Sequence, residues 1–183
     1  MVDFSLFEKI KDKILIGNIS PTAKIIENEY YDMEERLSEN RLNEIIKKYG
    51  DLHIAEDEKN QARWTYGTHK YTMDEWELNN SVEKAYNCSC KVSGRFLYLP
   101  NGYCGWHTNS NSLGERIYIV WAAEDNKSFF RYKDKETNKI ITKWEKKGWQ
   151  VNRFHPPIWH CVGSYTNRIS FGYRVVEQTN WRF

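Results

Sequence analysis

The chain has 183 residues, and 27 Lys and Arg against 25 Asp and Glu leave a formal charge of +2. That length suits one domain with its own core, and the near balance of charge gives no case for a nucleic-acid or membrane-surface partner. Forty per cent hydrophobic and 15% aromatic residues exclude a disordered chain. No stretch approaches the roughly 18 apolar residues of a membrane span, and Met1 to Lys13 is charged where a signal peptide is apolar, so a cytoplasmic protein is expected.

In chain order, Pro21 after Ser20 predicts a helix start, with Ser20 as cap and Ile25 and Ile26 turned inward. Leu42, Ile45, Ile46 and Tyr49 fall at i, i+3, i+4 and i+7 and predict an amphipathic helix that Gly50 ends. Between Trp64 and Leu78 the aromatics Trp64, Tyr66, Tyr71 and Trp76 keep no period, which reads as a loop-rich connector. From residue 86 onward the texture changes to short β-rich runs. These are Arg95–Leu99, Arg116–Trp121, Phe129–Tyr132, Lys139–Trp144, Trp149–Phe154 and Arg168–Val176. The expectation is a single domain over 1–183, mainly β with N-terminal helices. A helical and loop support fills 1–85, and an antiparallel sandwich or barrel fills 86–183.

Two runs alternate clearly. Ile117, Ile119 and Trp121 share one face of their strand, and Arg116, Tyr118 and Val120 share the other. In the last run Ile169, Phe171 and Tyr173 point one way, and Arg168, Ser170, Gly172 and Arg174 point the other. A polar face on a late strand of a small barrel meets solvent or lines a ligand cavity.

Cys88, Cys90, Cys104 and Cys161 are too few and too irregular for a disulfide framework, and Cys88-Ser-Cys90 falls one residue short of C-x-x-C, so reduced structural thiols are expected. His53 and His69 lie in polar surroundings and read as exposed or capping, while His155 precedes Pro156-Pro157 in a loop. His107 and His160 sit at the edges of strand-like runs among aromatics. They either converge on a metal or pack as core histidines.

The order of these pieces resembles the Fe(II)/2-oxoglutarate-dependent dioxygenases, nearest the prolyl hydroxylase-like and aspartyl/asparaginyl hydroxylase-like branches. The pieces are Tyr98-Leu-Pro-Asn-Gly-Tyr-Cys-Gly-Trp-His107-Thr-Asn109, Phe130-Arg-Tyr-Lys-Asp, His160-Cys-Val and Arg168-Ile-Ser170, across residues 92–176. The resemblance implies a double-stranded β-helix (a jelly-roll or cupin-like barrel), with the N-terminal helices packed against one sheet. It implies Fe(II) held by His107 and His160, 2-oxoglutarate as cosubstrate, and ascorbate as an optional reductant. Arg168 would take the far carboxylate of 2-oxoglutarate with help from Ser170 and Tyr98. The family pattern has Asp or Glu two residues after the first His, and Asn109 stands there instead. An amide oxygen ligates iron without adding negative charge. Members of the aspartyl/asparaginyl branch that lack this carboxylate work with two His and take a second cosubstrate contact from an Arg nine residues after the first. Arg116 holds that place here, on a strand face with Tyr118, and the resemblance makes both cofactor-binding candidates.

The activity implied is hydroxylation of a peptide or protein side chain or of a free amino acid, with succinate and CO2 as coproducts. Trp106, Trp121, Trp149 and Trp159 are candidate walls of a dry site or plain core aromatics. Three alternatives stand beside it. One is a non-catalytic binding barrel that lost the metal carboxylate at Asn109, and another is a halogenating member of the same superfamily. The third is a nucleic-acid modifier with a basic rim of Lys143, Lys146, Lys147, Arg153 and Arg174. Against the last, the mixed signs of Glu145-Lys-Lys suit a solvated hairpin.

Overall fold

The computed structural model describes residues 2–21, 23–26, 32–50, 61–66 and 73–176. Its elements are α1 (Ser5–Leu15), β1 (Ala23–Ile26), α2 (Met33–Arg36), α3 (Glu39–Tyr49), β2 (Gln61–Thr65) and α4 (Met73–Tyr86), followed by eight strands. The strands are β3 (Ser89–Tyr98), β4 (Gly102–His107), β5 (Arg116–Ala122), β6 (Ser128–Lys133), β7 (Ile140–Trp144), β8 (Gly148–Phe154), β9 (His160–Ser164) and β10 (Arg168–Val176). They pair in the order β7-β6-β9-β4 and β3-β10-β5-β8, with β2 joining β4 to β3. Every pairing is antiparallel. Successive strands from β3 to β10 thus fall alternately, singly or as pairs, into two four-stranded sheets, which is the double-stranded β-helix.

Both sheets bury their outer faces under helices. On β3-β10-β5-β8, Ile117, Ile119, Ile169, Phe171 and Tyr173 pack with Phe7, Ile10 and Ile14 of α1 and Leu78 and Val82 of α4. These are the apolar faces that the alternation of β5 and β10 foretells. On the other sheet, Tyr103, Trp106, Phe129, Trp159 and Cys161 pack with Met33, Leu37, Leu42 and Ile45. The expected support of one sheet is therefore corrected to support of both, because each sheet offers an apolar outer face that needs cover. Capping is orthodox at α3, where the Ser38 hydroxyl accepts from the Arg41 amide at 3.1 Å and Gly50 ends the helix at φ 85°.

Two further expectations in 1–85 are corrected. Residues 23–26 form β1, paired with β2, rather than a helix capped by Ser20, because the backbone of β2 offers them a ladder. The Trp64–Leu78 connector contains the end of β2 and the start of α4, the latter fixed by burial of Leu78 and Val82 rather than by a visible period. The N-terminal part thus supplies a strand to the barrel itself. His53 and His69 lie outside the described residues. Among the described residues no helix is long and apolar enough to cross a membrane. All four cysteines are free thiols, and burial pushes Cys90 up to about 12.

Candidate active site

Between the sheets the apolar filling is small: Tyr98, Cys104, Phe130 and Val162, with Phe96, Tyr132 and Phe154 beside them. The rest of the interior is a cavity of about 340 Å³. Its walls include His107, Asn109, His160, Tyr98, Arg168, Ser170, Arg116 and Tyr118, so the fold brings the candidate metal and cosubstrate residues to one place. The four tryptophans are not among the lining residues: Trp106 and Trp159 belong to one outer core and Trp149 to the other, while Lys11 sits over the Trp121 ring. They are packing residues, as large apolar rings on outward strand faces must be.

A bulge aims the first histidine. β4 and β9 pair Cys104 with Val162, then shift by one residue so that His107 lies opposite His160. In a regular strand residues 104 and 107 face opposite sides. The extra residue resets the alternation, so both line the cavity. The two imidazole centroids end 4.0 Å apart.

Each ring is held by its own backbone. His107 Nδ1 donates to the Gly105 carbonyl at 2.8 Å, and His160 Nδ1 donates to the Ile158 carbonyl at 2.8 Å. A carbonyl only accepts, so both Nδ1 atoms carry a proton, and Nε2 is the ring nitrogen through which either histidine would ligate a metal. Burial, together with the neighbouring His107 ring, holds His160 well below the ordinary imidazole pKa, so it stays neutral. Asn109, at φ 57° in the left-handed region that Asn tolerates, donates from Nδ2 to His160 Nε2 at 3.2 Å. Turning its amide over would present Oδ1 at the same spot. Among the described residues no third His, Cys, Asp or Glu joins the pair. Two imidazoles fixed through Nδ1, plus one amide oxygen, fit a divalent first-row metal.

The opposite sheet carries the cations. Arg168 is 2% exposed, and its Nε and Nη2 donate to the two oxygens of Glu145 at 2.7 and 2.8 Å. Burial works against the guanidinium charge, but Glu145 overrides it and raises the pKa above the ordinary value. Ser128 also donates to Glu145 at 2.6 Å, and Asn152 at 3.2 Å. Glu145 is itself 2% exposed, which corrects its reading as part of a solvated hairpin. Only Lys146 and Lys147 of that turn are exposed. Glu145 occupies one edge of the guanidinium fork. Nη1 remains, buried and without a partner, on a side chain that lines the cavity. An orphaned donor of this kind fits an incoming carboxylate through the Nη1–Nη2 edge. Tyr98 lies beside it, with its ring 5.1 Å from the guanidinium carbon. Burial pushes the Tyr98 hydroxyl far up, so it is a neutral donor. Ser170 shares the wall on the same strand face.

Two participants were not legible beforehand: Glu145, and Arg63 on β2. Arg63 donates to Cys104 Sγ at 3.1 Å and lies over the Phe96 ring at 4.0 Å. Neither stands in a local pattern; each acquires its role from a strand far away in sequence. Of the basic rim, Arg174 lines the cavity, whereas Arg153 pairs with Glu115 at 2.6 Å.

No protein-family profile matches the sequence, and comparison with curated proteins finds no match. Similar solved structures include a 2OG-Fe(II) oxygenase-family oxidoreductase from Burkholderia pseudomallei, at 12% identity over 57% of this chain and 51% of that one, TM-score 0.41. They also include an oxalate oxidase at 12% identity over 63% and 51%, TM-score 0.41. A cupin-like protein from Thermotoga maritima follows at 17% identity over 67% and 77%, TM-score 0.38. The match takes in about half the length of the first two chains. The neighbours thus include oxygenase-family and cupin-like proteins, at an identity and overlap that say nothing of reaction or substrate.

Proposed function

We propose that the chain is an Fe(II)- and 2-oxoglutarate-dependent dioxygenase that hydroxylates a peptidyl side chain or an amino acid. The observation that carries this reading is the His107–His160 pair on the cavity wall, with ring centroids 4.0 Å apart and each ring fixed through Nδ1 on a backbone carbonyl, so that Nε2 is the atom that would meet a metal. In it, His107 and His160 hold the metal and Asn109 turns its amide oxygen to it as a neutral third donor. Arg168 Nη1, Tyr98 and Ser170 receive the far carboxylate of 2-oxoglutarate, and Arg116 and Tyr118 border the metal end. Bound there, iron and the oxo acid supply the oxidising chemistry, with O2 consumed and succinate and CO2 released as a substrate C–H becomes C–OH. The chain's own part is to bind, orient and keep water out: Phe130 and Phe154 pack on His160 with centroids 5.5 and 4.7 Å away. A single domain over 1–183 working in the cytoplasm belongs to the same reading.

The test is anaerobic addition of Fe(II) and then 2-oxoglutarate to metal-stripped protein, followed by visible absorption. A weak charge-transfer band is expected in the wild type and is expected to vanish in His160→Ala. A band that forms only in Asn109→Asp, or in neither protein while both stay folded by circular dichroism, overturns the catalytic reading in favour of a binding barrel.

A further inference from the structure

We infer that the mouth of the cavity is a second anion subsite, formed by Lys91, Arg174 and Arg116, which takes a carboxylate or phosphate group of a small-molecule ligand. The β10 register sets Arg174 directly opposite Lys91 on β3 and directly opposite Arg116 on β5. All three line the cavity. Lys91 reaches that face because the β3–β10 ladder skips Ser93, a one-residue shift that reverses the alternation beyond it.

Three cations in register across adjacent strands are a cost to the fold, since like charges directly opposite repel. Three other arginines are matched with carboxylates: Arg168 with Glu145, Arg153 with Glu115, Arg41 with Glu44. Here, among the described residues, no Asp or Glu lines the cavity at all. Backbone carbonyls position the guanidiniums without neutralising them. Arg116 donates to Ser112 and Gly114, and Arg174 donates to Leu113 at 3.4 Å. Burial lowers the pKa of Arg116, and Arg174 lowers it further, so the two charges act on each other. An anion removes this repulsion and accepts from the free donors.

The subsite is distinct from the orphaned Nη1 of Arg168. Arg168 and Arg174 lie six residues apart on one strand, which is about 20 Å of backbone at ~3.3 Å per residue. A small molecule is favoured over a polymer because the row runs inward from exposed Lys91 through half-buried Arg174 to Arg116, which is 2% exposed, rather than along a surface stripe. The cavity, about 340 Å³, falls within the roughly 300–1,000 Å³ of small-ligand sites. Nothing in this depends on a metal at the histidines.

The experiment is an amide-shift NMR titration of the protein in chelator, with inorganic phosphate in one arm and succinate in the other. Whichever anion binds, saturable shifts are expected at Lys91, Arg116 and Arg174. Affinity should fall about tenfold in Arg174→Gln, as loss of a charge-assisted hydrogen bond implies. It should stay unchanged in Lys146→Gln, which removes an exposed hairpin charge. The melting temperature of Arg174→Gln is expected not to fall. Shifts confined to the surroundings of Arg168, or equal losses in both variants, overturn the subsite. A melting point several degrees lower marks Arg174 as structural and also overturns it. A single-stranded oligonucleotide that displaces the anion with a steep salt dependence overturns the small-molecule assignment. The chelator keeps failure here separate from failure of the iron titration.

Discussion

At the residue scale the interior depends on one ion pair. Arg168 and Glu145 are each 2% exposed and joined by two short hydrogen bonds, with Ser128 and Asn152 completing the acceptor side. Removing one partner of such a pair strands the other charge, at about 3–5 kcal/mol, while replacing both by apolar groups is often neutral. Glu145→Gln should therefore lower stability by about that amount in urea unfolding, and Glu145→Leu combined with Arg168→Met should recover most of it. A Glu145→Gln loss under about 1 kcal/mol would show the pair to be better hydrated than its burial indicates. The histidines behave differently. Their tautomers are set by carbonyls two residues away in sequence, Gly105 and Ile158, so each ring brings its own orienting group.

At the element scale, register governs both site and stability. Gly172 lies on the cavity face of β10 between Ser170 and Arg174, and a Cβ there would clash with the Tyr118 ring and meet Ser93 Oγ at 2.7 Å. Gly172→Ala is expected to destabilise by about 1–3 kcal/mol through overpacking. Adding Tyr118→Ala should restore part of the loss; no recovery would place the strain in the backbone instead. β5 and β8 are tied near their ends by Glu115 and Arg153. The Arg153 hydrogen bond lowers the Glu115 pKa from its ordinary 4.5. The folded state thus holds the proton less tightly than the unfolded one. The pair's contribution is present above that ordinary value and is lost as pH falls through the lowered one. Arg153 is 50% exposed, so the effect is under about 1 kcal/mol. Arg153→Gln should lower stability by under about 1 kcal/mol at neutral pH and leave it unchanged below the lowered pKa, so that the acid limb of the stability–pH curve flattens.

At the scale of the whole molecule, the barrel interior can be polar because the apolar burial is outside it. Phe7 of α1 is fully buried and packs tilted against Trp149 and edge-to-face against Phe171, and α2 and α3 cover the other sheet. Phe7→Ala should cost about 3–5 kcal/mol, whereas Ile16→Ala, at 68% exposure, should lie within about 0.5 kcal/mol of wild type. Equal costs in chemical denaturation would mean that α1 is not part of the core. The same design makes the inner face of β10 available for Arg168, Ser170 and Arg174, because Ile169, Phe171 and Tyr173 already anchor the strand from behind.

The alternation of β5 and β10 was legible in the residues alone, since which side of a strand is apolar is a local property with a period of two. So were the late strands and the helix ended by Gly50. The order Tyr98, His107, Asn109, His160, Arg168, Ser170 was also there to read, and the fold gathers those residues around one cavity. The fully buried strands β4 and β9, which carry the two histidines, show no alternation, because both of their faces are covered. Tertiary structure alone decided the shift that turns His107 inward, the shift that sets Lys91 beside Arg174, the entry of β2 between the sheets, and the burial of Glu145 against Arg168. Each depends on a partner strand distant in sequence, where a slip of one residue exchanges inside for outside.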